Sequence, residues 1–356
     1  MPDRLINTIH KLRVPKVILR YIMMNFLDFN TIVNLLFLVK EMNVLDNYSK
    51  DLLTKAKNGF IWNCEHGHLI VAKWLCSISE VDIHADNERA FRLSCEHGHL
   101  DVAKWLYSIG KGMAQEQFGV NIHANAEYAF RRSCENGHLT VAKWLLGLGT
   151  SCSHPTCPSG TRYSFGDVDI HVYDDYAFKL CCRNGHLIVA QWLYSFGEVD
   201  IHAGFEYAIA ISCENNHLDV AKWLYSIGAN IHANNEYAFR YCCTNGHLDV
   251  AKWIYSLGVD IHVNNEQAFR HSCENGHLDV AKWLYSLGAD IHADYEYAFR
   301  YSCENGHLDV AKWLYSLGAG MDRTDNEYVF GYVFGYVFRH AKGITLDWLN
   351  TLITKN

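Results

Sequence analysis

Hydrophobic residues recur along most of this chain with the spacing of short amphipathic helices. In residues 307–317 (HLDVAKWLYSL) the apolar side chains form one stripe at helical spacing, and residues 296–303 (EYAFRYSC) predict a second helix. The Asn-Gly-His between them suits a tight turn, because glycine adopts the left-handed conformation without strain. Helices of about 10 residues cannot bury their apolar faces alone, so neighbouring pairs must stack. The pattern predicts an all-α solenoid of helix-turn-helix units with short extended connections, such as residues 290–293.

The helix pair is one unit of an internal repeat with a basic period of 30 residues. Its His-Leu step occurs at His68, His99, His138, His186, His217, His247, His277 and His307. We therefore number eight copies: 55–84, 86–115, 125–154, 173–202, 204–233, 234–263, 264–293 and 294–323. Insertions at 111–119 and 150–167 account for the two longest spacings, and length variation at one point of a repeat is typical of a surface loop.

Composition limits the class of protein. The 356 residues are 49% hydrophobic and 20% charged, with a net charge of −8, which is typical of a folded chain and argues against a dedicated binder of nucleic acid or anionic membranes. No apolar run approaches the roughly 20 residues that span a bilayer, and we find no secretory signal. We expect a monomer in the cytosol or nucleus, where its 13 Cys would stay reduced.

The recurring Cys, Trp and His residues are predicted to be structural. Eight equivalent Cys fit a small buried position, since a catalytic nucleophile is needed only once. We expect the Trp column to pack between copies, and both His rows, one after the turn glycine and one after Ile, to bind loop backbone of a neighbouring copy. An Asn or Asp before each first helix is predicted to be its N-cap, and Glu296 and Arg300 to pair along the helix.

One local cluster departs from the repeat. Cys152, His154 and Cys157 in SCSHPTCPSG could supply two or three zinc ligands, but a structural zinc needs about four, and the prolines favour a plain surface loop. No phosphate loop, metalloprotease motif or serine nucleophile elbow occurs. The sequence therefore predicts a non-enzymatic protein that needs no cofactor.

Candidates for partner binding are positions that vary while their surroundings repeat. Just before the first helix these are Asn87, Ala126, Asp174, Phe205, Asn235, Asn265 and Tyr295. Within the first helix the candidates are Tyr241, His271 and Tyr301. Scaffold positions repeat because packing repeats, whereas variable positions either drift or are shaped by a partner. Phe205 and Tyr295, if exposed, would be anchor residues of an interface.

Residues 306–314 (GHLDVAKWL) and 288–292 (GADIH) resemble the second half of an ankyrin repeat. The resemblance covers about residues 55–323 and implies an ankyrin solenoid that binds a partner protein on its concave face. The period of 30 against the family's 33 implies a shortened hairpin between copies. The NEYAF and VAKWLY variants are similar to ankyrin arrays of giant viruses of amoebae, which would place the chain in the cytosol or nucleus of a host cell.

The two ends of the chain differ from the array. Residues 324–356 are predicted to be a degenerate ninth repeat that caps the C-terminal end. Residues 1–54 do not repeat, and their apolar pattern predicts helices. They form either a helical N-terminal cap or an F-box-like segment.

The F-box resemblance covers residues 14–43 and rests on Val14-Pro15, Phe26-Leu27-Asp28 and Leu38-Val39-Lys40. F-boxes dock on the adaptor subunit of cullin-type ubiquitin ligases. The sequence therefore predicts a protein–protein interaction scaffold, with a substrate adaptor of such a ligase as the alternative.

Overall fold

The computed structural model describes residues 59–78, 81–110, 119–149, 168–319, 335–341 and 343–354. Every regular element in these ranges is an α-helix, and none of these helices is both long and apolar enough to cross a membrane. The chain divides into unit 1, residues 1–133 with 140–169, and unit 2, residues 134–139 with 170–356. The F-box-like segment lies outside the described residues.

The helices alternate between a first and a second helix of each copy. From residue 59 to 149 they are α1 (59–65), α2 (Leu69–Ile78), α3 (Ala85–Glu96), α4 (Leu100–Gly110), α5 (Ala124–Glu135) and α6 (Leu139–Gly149). From residue 168 to 319 they are α7 (Val172–Arg183), α8 (Leu187–Tyr194), α9 (Ala203–Glu214), α10 (Leu218–Ser226), α11 (Ala233–Thr244), α12 (Leu248–Tyr255), α13 (Val263–Glu274), α14 (Leu278–Ser286), α15 (Ala293–Glu304) and α16 (Leu308–Ser316). The last two are α17 (335–340) and α18 (Gly343–Thr354).

A residue in the left-handed conformation closes each helix pair. In copy 7, Gly276 has φ of 80°, and the N–H of His277 donates to the carbonyl of Ser272 at 2.8 Å. Glycine at this position has φ between 75° and 82° in every copy that has it, and Asn216 takes its place in copy 5 with φ of 67°. The predicted turn is therefore confirmed.

The core lies between the two helices of a copy and those of its neighbours. In copy 7, Phe269, Cys273, Val280, Ala281 and Leu284 are all fully buried. Each such apolar side chain contributes roughly 1.5–3 kcal/mol by leaving water. The Cys column is buried throughout, at Cys64, Cys95, Cys134, Cys182, Cys213, Cys243, Cys273 and Cys303. Burial raises the pKa of the Cys303 thiol to about 12, so this thiol is a protonated packing group. The burial of the whole column agrees with its predicted packing role.

Aromatic contacts join successive copies. The ring of Trp313 in copy 8 meets Tyr285 of copy 7 edge-on, with centroids 5.8 Å apart, and Phe269 of copy 7 at 6.4 Å. Equivalent pairs occur within each unit, such as Tyr107–Trp144 in unit 1 and Tyr194–Trp223 in unit 2. These contacts confirm the predicted packing of the Trp column for the indoles that the structure describes.

The histidine after the turn packs on the glycine of the preceding copy at His99, His186, His217, His277 and His307. A Cβ atom on Gly276 would lie 2.5 Å from Nδ1 of His307, so only glycine fits here without moving the ring. The other ring nitrogen reaches backbone: Nε2 of His247 donates to the carbonyl of Glu214 in copy 5 at 3.0 Å. This His row therefore binds loop backbone of a neighbouring copy, as predicted.

The C-terminal helix closes the last copy of unit 2. Helix α18 packs on α15 and α16, and Leu349 is fully buried there. Trp348 meets Tyr315 edge-on at 5.6 Å, the same contact that a Trp makes with the Tyr of the preceding copy elsewhere. The boundaries of the predicted ninth repeat stay a prediction.

Candidate protein-binding surface

A left-handed turn of three residues precedes the right-handed part of each first helix in copies 2 to 8. The φ angles lie between 53° and 67°. The seven turns are 86–88, 125–127, 173–175, 204–206, 234–236, 264–266 and 294–296. This conformation destabilises a residue other than glycine by roughly 1–2 kcal/mol. Each turn therefore needs contacts that hold it.

These turns correct two of our sequence predictions. The N-cap of α13 is His262, without a side-chain cap bond, and the Asn residues expected to cap the helix, Asn264 and Asn265, form the turn itself. The connection expected to be extended also contains a bend, since His262 has φ of −89° and ψ of −1°. Asn and Asp tolerate positive φ better than other side chains, so the Asn-Asn-Glu pattern is compatible with a left-handed turn. The interpretation of these Asn residues as N-caps was therefore wrong.

An arginine in the first helix holds the turn by its carbonyl groups. In copy 7, Nε of Arg270 donates to the carbonyl of Asn265 at 2.7 Å and Nη2 donates to that of Asn264 at 3.2 Å. Arg92, Arg131, Arg240 and Arg300 make the same two bonds in their copies. The guanidinium group offers two parallel donors that match two successive carbonyls.

A histidine and a buried acid hold the other side of the turn. Nδ1 of His262 donates to Oε1 of Glu266 at 2.5 Å, and the hydrogen bond to Glu266 raises the pKa of the imidazole. The same pair forms at His84–Glu88, His123–Glu127, His171–Asp175, His202–Glu206, His232–Glu236 and His292–Glu296. Two predictions were therefore wrong here: His262, at the end of copy 6, binds an acid side chain of copy 7 and not loop backbone, and Glu266 pairs with His262 while Arg270 holds backbone.

The buried acid also reaches the loop after the second helix of its pair in some cases. Oε1 of Glu88 accepts the backbone N–H of Asn121 at 3.1 Å in unit 1, and Oδ2 of Asp175 accepts that of Asp200 at 3.2 Å in unit 2. These bonds fix the loop that leads into the following turn. The turn is therefore held from the preceding connection by the histidine, and its acid also fixes the loop that leads to the next turn.

The middle residue of each turn, which we call the display residue, is the candidate position identified from sequence. The display residues are Asn87, Ala126, Asp174, Phe205, Asn235, Asn265 and Tyr295. All are exposed except Ala126, which is half-buried. Phe205 is 78% exposed and Tyr295 66%, so both satisfy the condition for anchor residues. The structure thus brings Asp174, Phe205, Asn235, Asn265 and Tyr295 to equivalent places in unit 2.

The candidates within the first helices, Tyr241, His271 and Tyr301, are half-buried in a row of rings between copies. Tyr301 stacks on Tyr297 with centroids 4.1 Å apart, and His271 of copy 7 stacks on Tyr297 of copy 8 at 5.8 Å. Burial lowers the pKa of His271, because the charged imidazolium would lose hydration. These residues join copies and offer a partner only part of their surface.

The rings of this row are fixed by charged neighbours. The Tyr297 hydroxyl donates to Oε2 of Glu274 at 2.9 Å, and Cζ of Arg270 lies 4.6 Å from the centre of the Tyr297 ring. Tyr237 donates to Glu214 in the same way, and burial raises its pKa to about 12. The first-helix surface therefore presents ordered rings whose hydroxyl and guanidinium groups are already engaged.

The described ranges contain no group of three or more His, Cys, Asp and Glu residues placed to hold a metal ion. The sequence candidates Cys152, His154 and Cys157 lie outside the described residues.

Comparison with known families identifies the fold. The sequence model described as "Ankyrin repeats (3 copies)" matches residues 178–265 and 239–325. Comparison with curated proteins gave no match. Ankyrin repeats are helix-turn-helix units that stack into solenoids and bind other proteins, and they are in general non-enzymatic. The stacked helix pairs of unit 2 agree with the matched sequence: residues 178–325 have the fold of ankyrin repeats.

Proposed function

We propose that the chain is a non-enzymatic scaffold that binds a partner protein through its display residues and the adjoining first-helix surface. One observation carries the proposal. The display position keeps the same backbone conformation in every described copy, although its side chain changes from Asn to Asp, Phe or Tyr. A fixed backbone under a changing exposed side chain is what a recognition surface requires.

The packing of unit 2 supports the concave side as the binding face. First helices of neighbouring copies lie directly against one another, as α11 does on α13 and α13 on α15, whereas the second helices mainly contact their own first helix. Closer spacing along one side of a stack bends the stack toward that side. The display residues begin the first helices and therefore border this inner face.

Partner identification and mutation together test the proposal. The full chain is used to capture proteins from host cells, and direct binding of a purified candidate is measured by calorimetry. We expect Phe205→Ser and Tyr295→Ser to weaken binding at least about tenfold, because exposed aromatic anchors dominate interfaces. Lys282→Ala, on the exposed side of α14, is the matched control. Affinity that no display substitution changes would contradict the proposal.

A substrate adaptor of a cullin-type ubiquitin ligase is the second candidate, and the F-box resemblance of residues 14–43 favours it. In that case the N-terminal segment holds the ligase while the repeats select the target. Mixing the purified ligase adaptor subunit with the full chain and with a chain lacking residues 1–54 separates the two functions. Binding that depends on residues 1–54 supports the adaptor, and its absence from both forms removes it. The similarity to giant-virus arrays makes the cytosol or nucleus of an amoebal host the compartment in which to test this.

A further inference from the structure

Large apolar side chains are concentrated on copies 4 and 5. Among the described residues, seven of the eleven exposed large hydrophobic side chains lie between residues 173 and 225. We name the four at the start of α7 and α9 the aromatic patch. It consists of Tyr173 (65% exposed), Tyr176, Phe205 (78%) and Tyr207. Helices α7 and α9 pack side by side, and Tyr176 and Tyr207 occupy the same position in the two copies.

Tyr207 of copy 5 differs from its counterparts in copies 6 and 8 because the preceding copy lacks their hydrogen-bond acceptor. In copies 6 and 8 the Tyr at the position of Tyr207 donates its hydroxyl to a Glu of the preceding copy. Copy 4 has Arg183 where that Glu would be, and an arginine cannot accept the hydroxyl proton. Tyr207 is 39% exposed as a result.

The turns of copies 4 and 5 also lack the arginine that holds the others. Lys179 replaces it in copy 4, and its Nζ pairs with Oδ2 of the display residue Asp174 at 2.6 Å. Ala210 replaces it in copy 5, where the first residue of the turn is Gly204 and the Phe205 carbonyl accepts Nδ2 of Asn234 from copy 6 at 3.2 Å. Departures from the repeat therefore coincide with the exposed rings.

The surroundings of the patch are acidic. Residues 197–206, the loop and turn of copy 5, contain Glu198, Asp200 and Glu206 and no Lys or Arg. The turn of copy 4 adds Asp174 and Asp175. Asp174, Glu198 and Asp200 are exposed, whereas Asp175 and Glu206 are buried and bonded to the preceding histidines. The cations of these two copies are elsewhere or paired: Lys179 with Asp174, Arg183 at the far end of α7, and Lys222 on the second helix α10. From residue 170 to 319 the chain has 18 Asp and Glu against 9 Lys and Arg.

We infer that copies 4 and 5 bind an arginine-rich segment of the partner protein, with guanidinium groups stacked on the aromatic patch and paired with the carboxylates beside it. Arginine fits both features, because its planar group stacks on aromatic rings and donates two parallel bonds to a carboxylate. Lysine offers only a point charge, and an acidic segment would be repelled. The inference rests on the proposed function and specifies where and what the scaffold recognises.

Fluorescence anisotropy with labelled peptides tests this inference on the full chain. The probes are a ten-residue peptide of alternating Arg and Gly, and the matched Lys-Gly and Glu-Gly peptides. We expect the Arg peptide to bind most tightly, the Lys peptide more weakly and the Glu peptide not at all. Binding of the Arg peptide should weaken as NaCl rises from 50 to 300 mM, since exposed charges are screened.

Variants locate the bound peptide. The triple variant Tyr173→Ser, Phe205→Ser and Tyr207→Ser should weaken the Arg peptide at least about tenfold. Glu198→Gln with Asp174→Asn should reduce the salt dependence. The control is Asp249→Asn with Asp279→Asn, which changes exposed acids on the second helices α12 and α14, away from the display residues, and should leave binding unchanged. Thermal unfolding checks that each variant is folded.

Two results overturn the inference. One is equal binding of the Arg and Glu peptides, and the other is an equal loss in the patch variant and its control. Failure of the proposed function looks different. If a natural partner binds through Asn235 and Asn265 but ignores the aromatic patch, the inference fails and the scaffold function stands. If no display residue affects any partner, the function itself fails.

Discussion

Copies 5 and 7 form the same left-handed turn by different means. Copy 7 places two Asn in the turn and holds their carbonyls with Arg270. Copy 5 has Ala210 in place of the arginine, and its turn begins with Gly204, whose φ is 67°. Positive φ costs glycine little free energy. Copy 5, which lacks the arginine, therefore begins its turn with the residue that least requires stabilising hydrogen bonds.

The comparison teaches that arginine and turn sequence are coupled. The strain of a left-handed turn can be reduced by glycine, as at Gly204 in copy 5, or balanced by hydrogen bonds from an arginine, as from Arg270 in copy 7. Copy 4 has neither, and its Lys179 pairs with the Asp174 side chain instead. The same two copies differ again at the turn between their helices, where copy 7 has Gly276 and copy 5 has Asn216. Copies 5 and 7 can therefore serve as matched controls for each other in mutational tests of both turns.

The largest effect is expected for Gly276→Ala in copy 7. The new Cβ would lie 2.5 Å from Nδ1 of His307, and alanine resists a φ of 80°. We expect a loss of about 3 kcal/mol in the free energy of unfolding, from strain and overpacking together. Asn216→Ala in copy 5 keeps an existing Cβ and should cost about 1 kcal/mol. Urea unfolding of the full chain measures both, and equal losses would show that the His ring does not enforce glycine.

The next effect is the loss of the arginine in copy 7. Arg270→Ala removes two charged hydrogen bonds to turn carbonyls, together with the ion pair to Asp294 and the contact with the Tyr297 ring, and should cost about 2–3 kcal/mol. Arg270→Lys keeps the charge but cannot supply both donors, so most of the loss should remain. Lys282→Ala, an exposed position of the same copy, should change stability by less than about 0.5 kcal/mol. Full recovery by lysine would mean that charge, and not hydrogen-bond geometry, holds the turn.

A smaller effect tests the coupling directly in copy 5. Gly204→Asn places a side chain in the left-handed turn where no arginine holds it, and should cost about 1 kcal/mol. In a chain that also carries Ala210→Arg, the same substitution should cost clearly less, because the guanidinium can bind both turn carbonyls. A double-mutant cycle by thermal unfolding gives the coupling energy. Additive losses would contradict the idea that the two positions compensate each other.

Much of the fold could be predicted from the sequence, because packing repeats with a period of 30 residues. Cys273, Trp313 and Gly276 recur at fixed spacing since each occupies one place in every stacked pair. The left-handed turn could not be predicted in the same way. Its stabilising bonds join Arg270 to backbone carbonyls five and six residues earlier, and side-chain patterns such as Glu-x-x-x-Arg indicate only contacts between side chains.

The candidate surface was also predicted only in part. The variable residues Phe205 and Tyr295 were identified because their surroundings do not vary. The exposure of Tyr207 could not be read from its own position, which is Tyr in most copies. The residue that matters is Arg183 in the preceding copy. Predicting the exposure of Tyr207 therefore requires knowing which side chains of neighbouring copies contact each other.

The smallest effects concern the two His rows, which should respond to pH in opposite directions. The hydrogen bond to Glu266 raises the pKa of His262, so its stabilisation is complete below the ordinary pKa near 6.5 and is lost as pH rises through the folded value. His262→Gln should therefore cost more at pH 6 than at pH 8.5. Because the pair is exposed, we expect a difference of about 0.5 kcal/mol.

His277 behaves in the opposite way. Burial lowers its pKa, so it is stable as the neutral ring above the ordinary pKa, and stability is lost as pH falls through the range between that value and the folded one. His277→Gln, which keeps a donor for the Thr244 carbonyl, should therefore lie closer to the unsubstituted protein at pH 5 than at pH 8. Urea midpoints at these pH values compare the two variants. The stability losses of His262→Gln and His277→Gln should change with pH in opposite directions. If both losses changed in the same direction, the two His rows would share one electrostatic environment. The assignment of one row to carboxylates and the other to backbone would then be wrong.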